Sequence, residues 1–126
     1  RLNLYKRLAG IETVDQINEF KSELIDRFGP LPQEVENLLE VIAVKQLCRI
    51  AGVEQIDAGP KGAVLAFRNN TPPNPERLIG YIQKHTHSIK LRPDQKVIYL
   101  QDWSASDVRV KGAHRLMSDL AGLVDT

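Results

Sequence analysis

The chain has 126 residues, of which 26% are charged and 42% hydrophobic, a balance typical of globular domains that excludes a wholly disordered chain. Seventeen basic and sixteen acidic residues leave a net charge of +1, so no overall field attracts the chain to nucleic acid or anionic lipid. The single cysteine, Cys48, excludes an internal disulfide and favours a reducing, cytoplasmic compartment. No apolar run reaches the roughly 18 residues of a membrane span, so no membrane partner is expected.

The first nine residues, Arg1 to Ala9, start as if the chain were already inside a helix, and Gly10 ends the pattern. We therefore predict that residues 1–9 are the end of a helix that begins upstream. The length is that of one ordinary domain. We expect residues 1–126 to be a single domain of a longer protein.

The second predicted helix runs from Val14 to Phe28, because Thr13 and Gln16 have the spacing of a capping box. At about 100° per residue, one side of this helix is apolar and is predicted to be buried. Its residues are Val14, Ile17, Phe20, Leu24, Ile25 and Phe28. The charged residues Glu19, Glu23, Asp26 and Arg27 face the other way.

A sharp break follows this helix. Gly29 is predicted to end it in the left-handed conformation, and Pro30 cannot continue it. Pro32 suits the first turn of a third helix that ends before Gly52. The residues of this core helix predicted to face inward are Val35, Leu38, Leu39, Ile42, Leu47 and Ile50, with Val41, Val44 and Cys48 widening the apolar surface.

The rest of the chain alternates strands with helices. Residues 53–58 and 63–67 are predicted strands joined by a turn at Gly59 to Gly62, and Asn74-Pro75 begins a helix that carries Leu78, Ile79 and Ile82. Residues 88–91 and 96–100 form a second strand pair. Ser104 or Ser106 can cap the last helix, whose apolar residues are Val110, Ala113, Leu116, Met117, Leu120, Leu123 and Val124. The predicted fold is α+β, in the order α-α-α-β-β-α-β-β-α with a small, mostly antiparallel sheet.

Three segments carry a family resemblance: Leu4 to Ala9, Glu23 to Pro32, and Asp57 to Gly62 with Val64 and Phe67 behind it. Together they resemble the C-terminal domain of the bacterial transcription-repair coupling factor. The resemblance implies a non-catalytic regulatory domain. Its parent would be an ATP-driven DNA translocase that displaces stalled RNA polymerase and recruits UvrA for nucleotide-excision repair.

Two interpretations of the charged residues on the second helix compete. On physical grounds alone they form a solvated surface, with Glu23 and Arg27 paired at i,i+4. The resemblance implies instead that Glu23, Asp26 and Arg27, with Glu19 beside them, dock onto the N-terminal UvrB-like module of the same polypeptide. Docking would mask the UvrA-binding surface and restrain the motor.

No pattern in the sequence predicts catalysis, a metal or a cofactor. The Gly59 to Gly62 segment lacks the spacing of a phosphate-binding loop and joins two strands. His85 and His87 are too few for a zinc site. Cys48 on an apolar helix indicates an inert core thiol.

An alternative function is a nucleic-acid-binding module that uses the last helix with Lys90 and Arg92. Its phosphate contacts would come from basic residues that are scattered in the sequence: Lys6, Arg7, Lys84, Lys90, Arg92, Arg109, Lys111 and Arg115. No aromatic residue is interleaved with them as a stacking platform would require. We therefore favour solvated surfaces for these residues.

Overall fold

A computed structural model describes the backbone of residues 2–124 and the side chains of residues 6–124. The elements follow the predicted order. They are α1 (Leu2–Ala9), α2 (Val14–Phe28), α3 (Gln33–Ala51), β1 (Val53–Gly59), β2 (Gly62–Phe67), a 3-10 turn (Arg68–Asn70), α4 (Pro75–Lys84), β3 (Ile89–Leu91), β4 (Val97–Leu100) and α5 (Ser106–Val124). Within residues 2–124, no helix combines the length and the apolar character needed to cross a bilayer.

The four strands form one antiparallel sheet in the order β1-β2-β4-β3. Each predicted strand pair is a hairpin, and β2 pairs with β4 to join the two hairpins, with Val64 opposite Ile98. The predicted α+β class with a small antiparallel sheet is confirmed.

The helix ends follow from local chemistry. Thr13 and Gln16 form the predicted capping box at the start of α2. Gly52 ends α3 in the left-handed conformation, with φ 72° and ψ 20°. Gly29 has the expected positive φ of 78°, but its ψ of −162° lies outside the left-handed helical region, which corrects the prediction. The reason is Pro30, because a residue before proline is pushed toward extended ψ.

The main core lies between the sheet and two helices, α3 and α5. It contains the fully buried side chains of Leu65, Ile89, Val97, Leu116 and Met117. Leu78 of α4 and Trp103, in the loop before α5, close its edges. These contacts place both long helices on one side of the sheet.

A second, smaller core joins α2 to the other side of α3. Ile17, Phe20 and Leu24 of α2 pack there against Leu39 and Ala43 of α3. The buried Gln46 amide donates a hydrogen bond of 3.0 Å to the Ile11 carbonyl and so ties the α1–α2 loop to α3. The centre of the predicted buried side of α2 is thus confirmed.

Two residues predicted to be buried on α2 are not. Phe28 is 67% exposed and Ile25 is 41% exposed, so the prediction was wrong at this end of the helix. The chain turns at Gly29, and Leu31 beyond the turn packs against the smaller core. The smaller core is therefore completed at this end by Leu31 and not by Phe28.

Further corrections fall on α3. Leu38 and Ile50 of α3 were expected to face inward, and Val41 to widen the apolar surface, but all three are exposed. Ile79 of α4, for which no burial was predicted, is also exposed. α3 is apolar on most of its circumference but is packed only on its Leu39 side and its Val44 side. A nearly continuous apolar pattern does not specify which side stays outside.

The different burial of Leu24 and Phe28 predicts different effects on stability. Leu24→Ala should lower the free energy of unfolding by about 2 to 5 kcal/mol, because it leaves a cavity in the smaller core. Phe28→Ala should lower it by less than about 1 kcal/mol, as at other exposed positions. Urea unfolding of both variants measures the difference, and equal losses would contradict the orientation of α2.

The β1–β2 hairpin provides a matched pair of glycines. A Cβ on Gly62, whose φ is 126°, would lie 1.9 Å from the Tyr99 carbonyl oxygen, whereas a Cβ on Gly59 would have no neighbour within 4 Å. Gly62→Ala should therefore destabilise the protein by about 2 kcal/mol or more, through strain and a backbone clash. Gly59→Ala should change stability by less than about 1 kcal/mol in the same unfolding assay.

Candidate docking surface

The outward side of α2 carries Glu19, Glu23, Asp26 and Arg27, here called the charged face. Glu19, Asp26 and Arg27 are exposed, and Glu23 is partly buried. The opposite side of α2 is held in the smaller core, so the core orients these four side chains away from the protein. The structure confirms that Glu19, Asp26 and Arg27 are exposed, but exposure alone does not test a docking role.

Glu23 forms an ion pair with Arg7 of α1, not with Arg27 as the i,i+4 interpretation required. The Arg7 guanidinium also lies 5.0 Å from the centroid of the Phe20 ring. Arg7 therefore links a charged residue and a core residue of the same helix. Exposed ion pairs contribute about 0 to 1 kcal/mol each, and a cation–π contact at such a site adds about 0.5 to 1 kcal/mol.

A second ion pair holds the other edge of α2. Lys21 lies 3.5 Å from a carboxylate oxygen of Glu36 on α3. Arg7–Glu23 and Lys21–Glu36 thus connect α2 to two different helices. These two ion pairs restrict rotation of α2 about its own axis and so help to keep the charged face in one orientation.

Asp26 and Arg27 differ from Glu23, because neither forms an ion pair or hydrogen bond with any side chain of residues 6–124. Both side chains are exposed, so each can pair across an interface without first giving up a partner among these residues. Phe28, which follows Arg27, adds an exposed aromatic ring. Sequence reasoning missed this ring because it assigned Phe28 to the core.

Glu19 borders a groove of about 330 Å³ at the start of α2. The other residues that line it are Arg7, Gly10, Ile11, Gln16 and Phe20. The Gln16 amide oxygen accepts hydrogen bonds from the Glu12 and Thr13 backbone, so the base of the groove is the capped start of α2. Because Glu19 lies seven and eight residues before Asp26 and Arg27, it is about two helical turns away from them.

The other candidate sites have structural explanations. Pro60 and Lys61 form a two-residue turn between β1 and β2, and their carbonyls accept hydrogen bonds from the backbone of Trp103 and Gln101 at 2.8 and 3.0 Å. The turn does not open a helix. Partial burial raises the pKa of the Cys48 thiol, which disfavours the reactive thiolate.

No cluster of three or more metal-ligating side chains occurs in the described part of the chain. His85 and His87 therefore have no third ligand beside them there. These two histidines lie at the exposed end of α4.

The basic residues of the alternative function are not gathered into one patch. Lys90 is exposed on β3, whereas Arg92 pairs with Asp94. The pKa of the Asp94 carboxyl is lowered, first by the Lys96 backbone N–H and then by Arg92. Arg109 donates to the Trp103 carbonyl at 3.1 Å. Lys111 and Arg115 lie one turn apart on α5, whereas Lys90 lies on β3.

Comparison with known proteins gives consistent matches. A family model described as the TRCF domain matches residues 1–78. The transcription-repair-coupling factor of Escherichia coli is 33% identical over 95% of this chain. That of Haemophilus influenzae is 35% identical over 96% of it. That of Rickettsia conorii is 31% identical over 96%. The chain spans only about a tenth of the length of these curated relatives.

The contacts of Arg7 predict an asymmetric effect of two alanine substitutions. Arg7→Ala should destabilise the protein more than Glu23→Ala, because it removes both the ion pair and the contact with Phe20. The coupling energy from the double-mutant cycle should stay below about 1 kcal/mol. Urea unfolding of both single variants and the double variant tests this, and a larger loss for Glu23→Ala would contradict it.

Proposed function

Because the chain belongs to the transcription-repair-coupling factor family, we propose that it is a regulatory domain that docks its charged face onto another module of the same polypeptide. The proposal rests on one observation: Asp26 and Arg27 have no ion-pair partner among residues 6–124, and they lie on the outward side of a helix whose other side is packed in the smaller core. The relatives, about ten times longer than this chain, leave ample polypeptide to supply the partner.

In this proposal the partner is the N-terminal UvrB-like module, and docking masks its UvrA-binding surface. The parent protein is an ATP-dependent DNA translocase acting on stalled RNA polymerase in nucleotide-excision repair. The domain itself is non-catalytic, autoinhibitory and cytoplasmic, and it influences UvrA, RNA polymerase and DNA only through the rest of the protein. Residues 1–126 form one such domain.

The physical character of the charged face suits a reversible interface. Both surfaces of such an interface must be stable in water after they separate, which favours polar residues over a large apolar patch. Charges arranged to complement a partner provide specificity as well as affinity. Phe28, with its exposed ring, can supply the apolar contact that such interfaces often have near their centre.

The four residues of the charged face should not contribute equally. Asp26 and Arg27 lose only hydration when they dock, and they gain a partner. Glu23 already pairs with Arg7, so docking must either share or break this ion pair. We therefore assign the main electrostatic role to Asp26 and Arg27, and a supporting role to Glu23 and Glu19.

Reversal of one charge on this face should weaken docking in the full-length protein. Asp26→Arg or Arg27→Glu would place like charges opposite each other, and a loss of about 2 kcal/mol raises a small undocked fraction roughly thirtyfold. Both variants should therefore show increased UvrA capture and increased basal ATP turnover. Raised salt should act in the same direction, but less strongly if the pairs are partly buried.

A matched control for Arg27→Glu is Lys45→Glu, which makes the same charge change at an exposed position of α3. It should leave UvrA capture and ATP turnover unchanged. Circular dichroism of each variant checks that the domain is folded. Folded variants of Asp26 and Arg27 that match wild type in both assays would refute the autoinhibitory role.

A further inference from the structure

A second surface lies on α5, away from the charged face. It is a groove of about 340 Å³ between α5 and the end of β4, here called the α5 groove. Its lining residues are Tyr99, Gln101, Trp103, Val108, Lys111 and Arg115, with Gly112 at the base. The proposed docking of α2 makes no use of it.

Trp103 forms a rigid wall of the α5 groove. It is only 3% exposed, and its backbone is held by the Pro60 carbonyl and by Arg109. Its ring lies 5.5 Å from that of Tyr99. It also packs so closely on Gly112 that a Cβ there would be 2.4 Å from the indole nitrogen. The position of the indole is therefore fixed before any ligand arrives.

The indole N–H has no hydrogen-bond acceptor among the described residues. This is unusual, since a buried tryptophan normally pairs its N–H. In the same part of the chain, no side-chain nitrogen or oxygen that is fully buried lacks a partner, so this N–H must reach solvent. Trp103 and Gly112 both line the α5 groove, and the indole nitrogen lies at the edge of the ring that faces Gly112.

Two cationic side chains, Lys111 and Arg115, also line the α5 groove. Lys111 and Arg115 are one turn apart on α5 and therefore lie side by side. Neither forms an ion pair with a described carboxylate. Asp119, one turn beyond Arg115, accepts a hydrogen bond of 2.9 Å from the Tyr81 hydroxyl. No carboxylate lines the α5 groove, and its two charged side chains, Lys111 and Arg115, are both cations.

The groove also presents apolar surface. Val108 is 46% exposed and lies one turn before Lys111 on the same side of α5. If an aliphatic side chain of a bound peptide packed against Val108, the neighbouring residues of that peptide would be within reach of Lys111 and Arg115. This combination selects for a ligand with both carboxylates and a hydrocarbon group.

We propose that the α5 groove binds an acidic protein segment. Carboxylates of the segment pair with Lys111 and Arg115 and accept the Trp103 N–H, and an aliphatic or aromatic side chain packs on Val108. Charge-assisted hydrogen bonds of this kind are the strong ones. Nucleic acid fits less well, because the buried Trp103 face is not available for base stacking and two cations neutralise few phosphates.

The single tryptophan of the chain provides a direct assay, since a ¹⁵N-labelled sample gives one indole N–H signal. The probes are a pool of short peptides with Asp and Glu around a central Leu, Ile or Phe, and a matched pool with Asn and Gln in place of the acids. The acidic pool should shift the indole signal saturably below about 1 mM, and the amide pool should not. A single-stranded oligonucleotide of mixed sequence is the third probe.

Lys111→Gln combined with Arg115→Gln should weaken binding of the acidic pool at least about tenfold. The matched control is Lys45→Gln with Arg49→Gln, two exposed cations one turn apart on α3, which should change binding less than about twofold. The proposal is overturned if the acidic pool leaves the indole signal unmoved or if both pools act alike. It is also overturned if the control weakens binding equally, or if the oligonucleotide binds more tightly than the peptides.

Discussion

The packing of α3 on two of its sides is the constraint on which the rest of the structure depends. Val44, Leu47 and Ala51 face the sheet and α5, whereas Leu39 and Ala43 face α2. Among the described elements, α2 packs extensively only against α3. The orientation of α2 is therefore set by α3. A loss of packing on the Leu39 side would release α2 while the sheet and α5 kept their own core. The charged face is presented to solvent only as long as this helix pair holds.

The two proposed binding surfaces lie on different elements, and their charged residues are not part of either core. Asp26 and Arg27 stand on α2, whereas Lys111 and Arg115 stand on α5 and belong to neither core. Binding and stability are therefore separable, and a charge can be changed on either surface without opening a cavity. The surfaces also differ in charge, since the charged face carries both signs and the charged residues of the α5 groove are all cations. They suit different partners, so the parent protein can engage one without occupying the other.

The family resemblance and the geometry contribute different kinds of information about the charged face. The resemblance identifies Glu23, Asp26 and Arg27 as a group, but it does not say which of them is free. The structure separates them, because Glu23 is engaged by Arg7 while Asp26 and Arg27 have no partner among the described side chains. It also adds Phe28 as an exposed ring beside them. The distinction matters because a charge that is already paired gains less from a new partner than a charge that is only hydrated.

The sequence by itself determined the elements, because capping residues, glycines, prolines and apolar periods act within a few residues of the chain. Thr13 and Gln16 begin α2, Gly52 ends α3, and the order of helices and strands follows as predicted. Only the tertiary structure decided which apolar residues are inside, since burial requires a second element in the right place. Phe28 is exposed while Leu31 beyond the turn packs against the smaller core, and Leu38 lies on a side of α3 that no described element covers. The same reason applies to the α5 groove, whose residues come from β4, the Trp103 loop and α5 and meet only when the sheet and the last helix pack together.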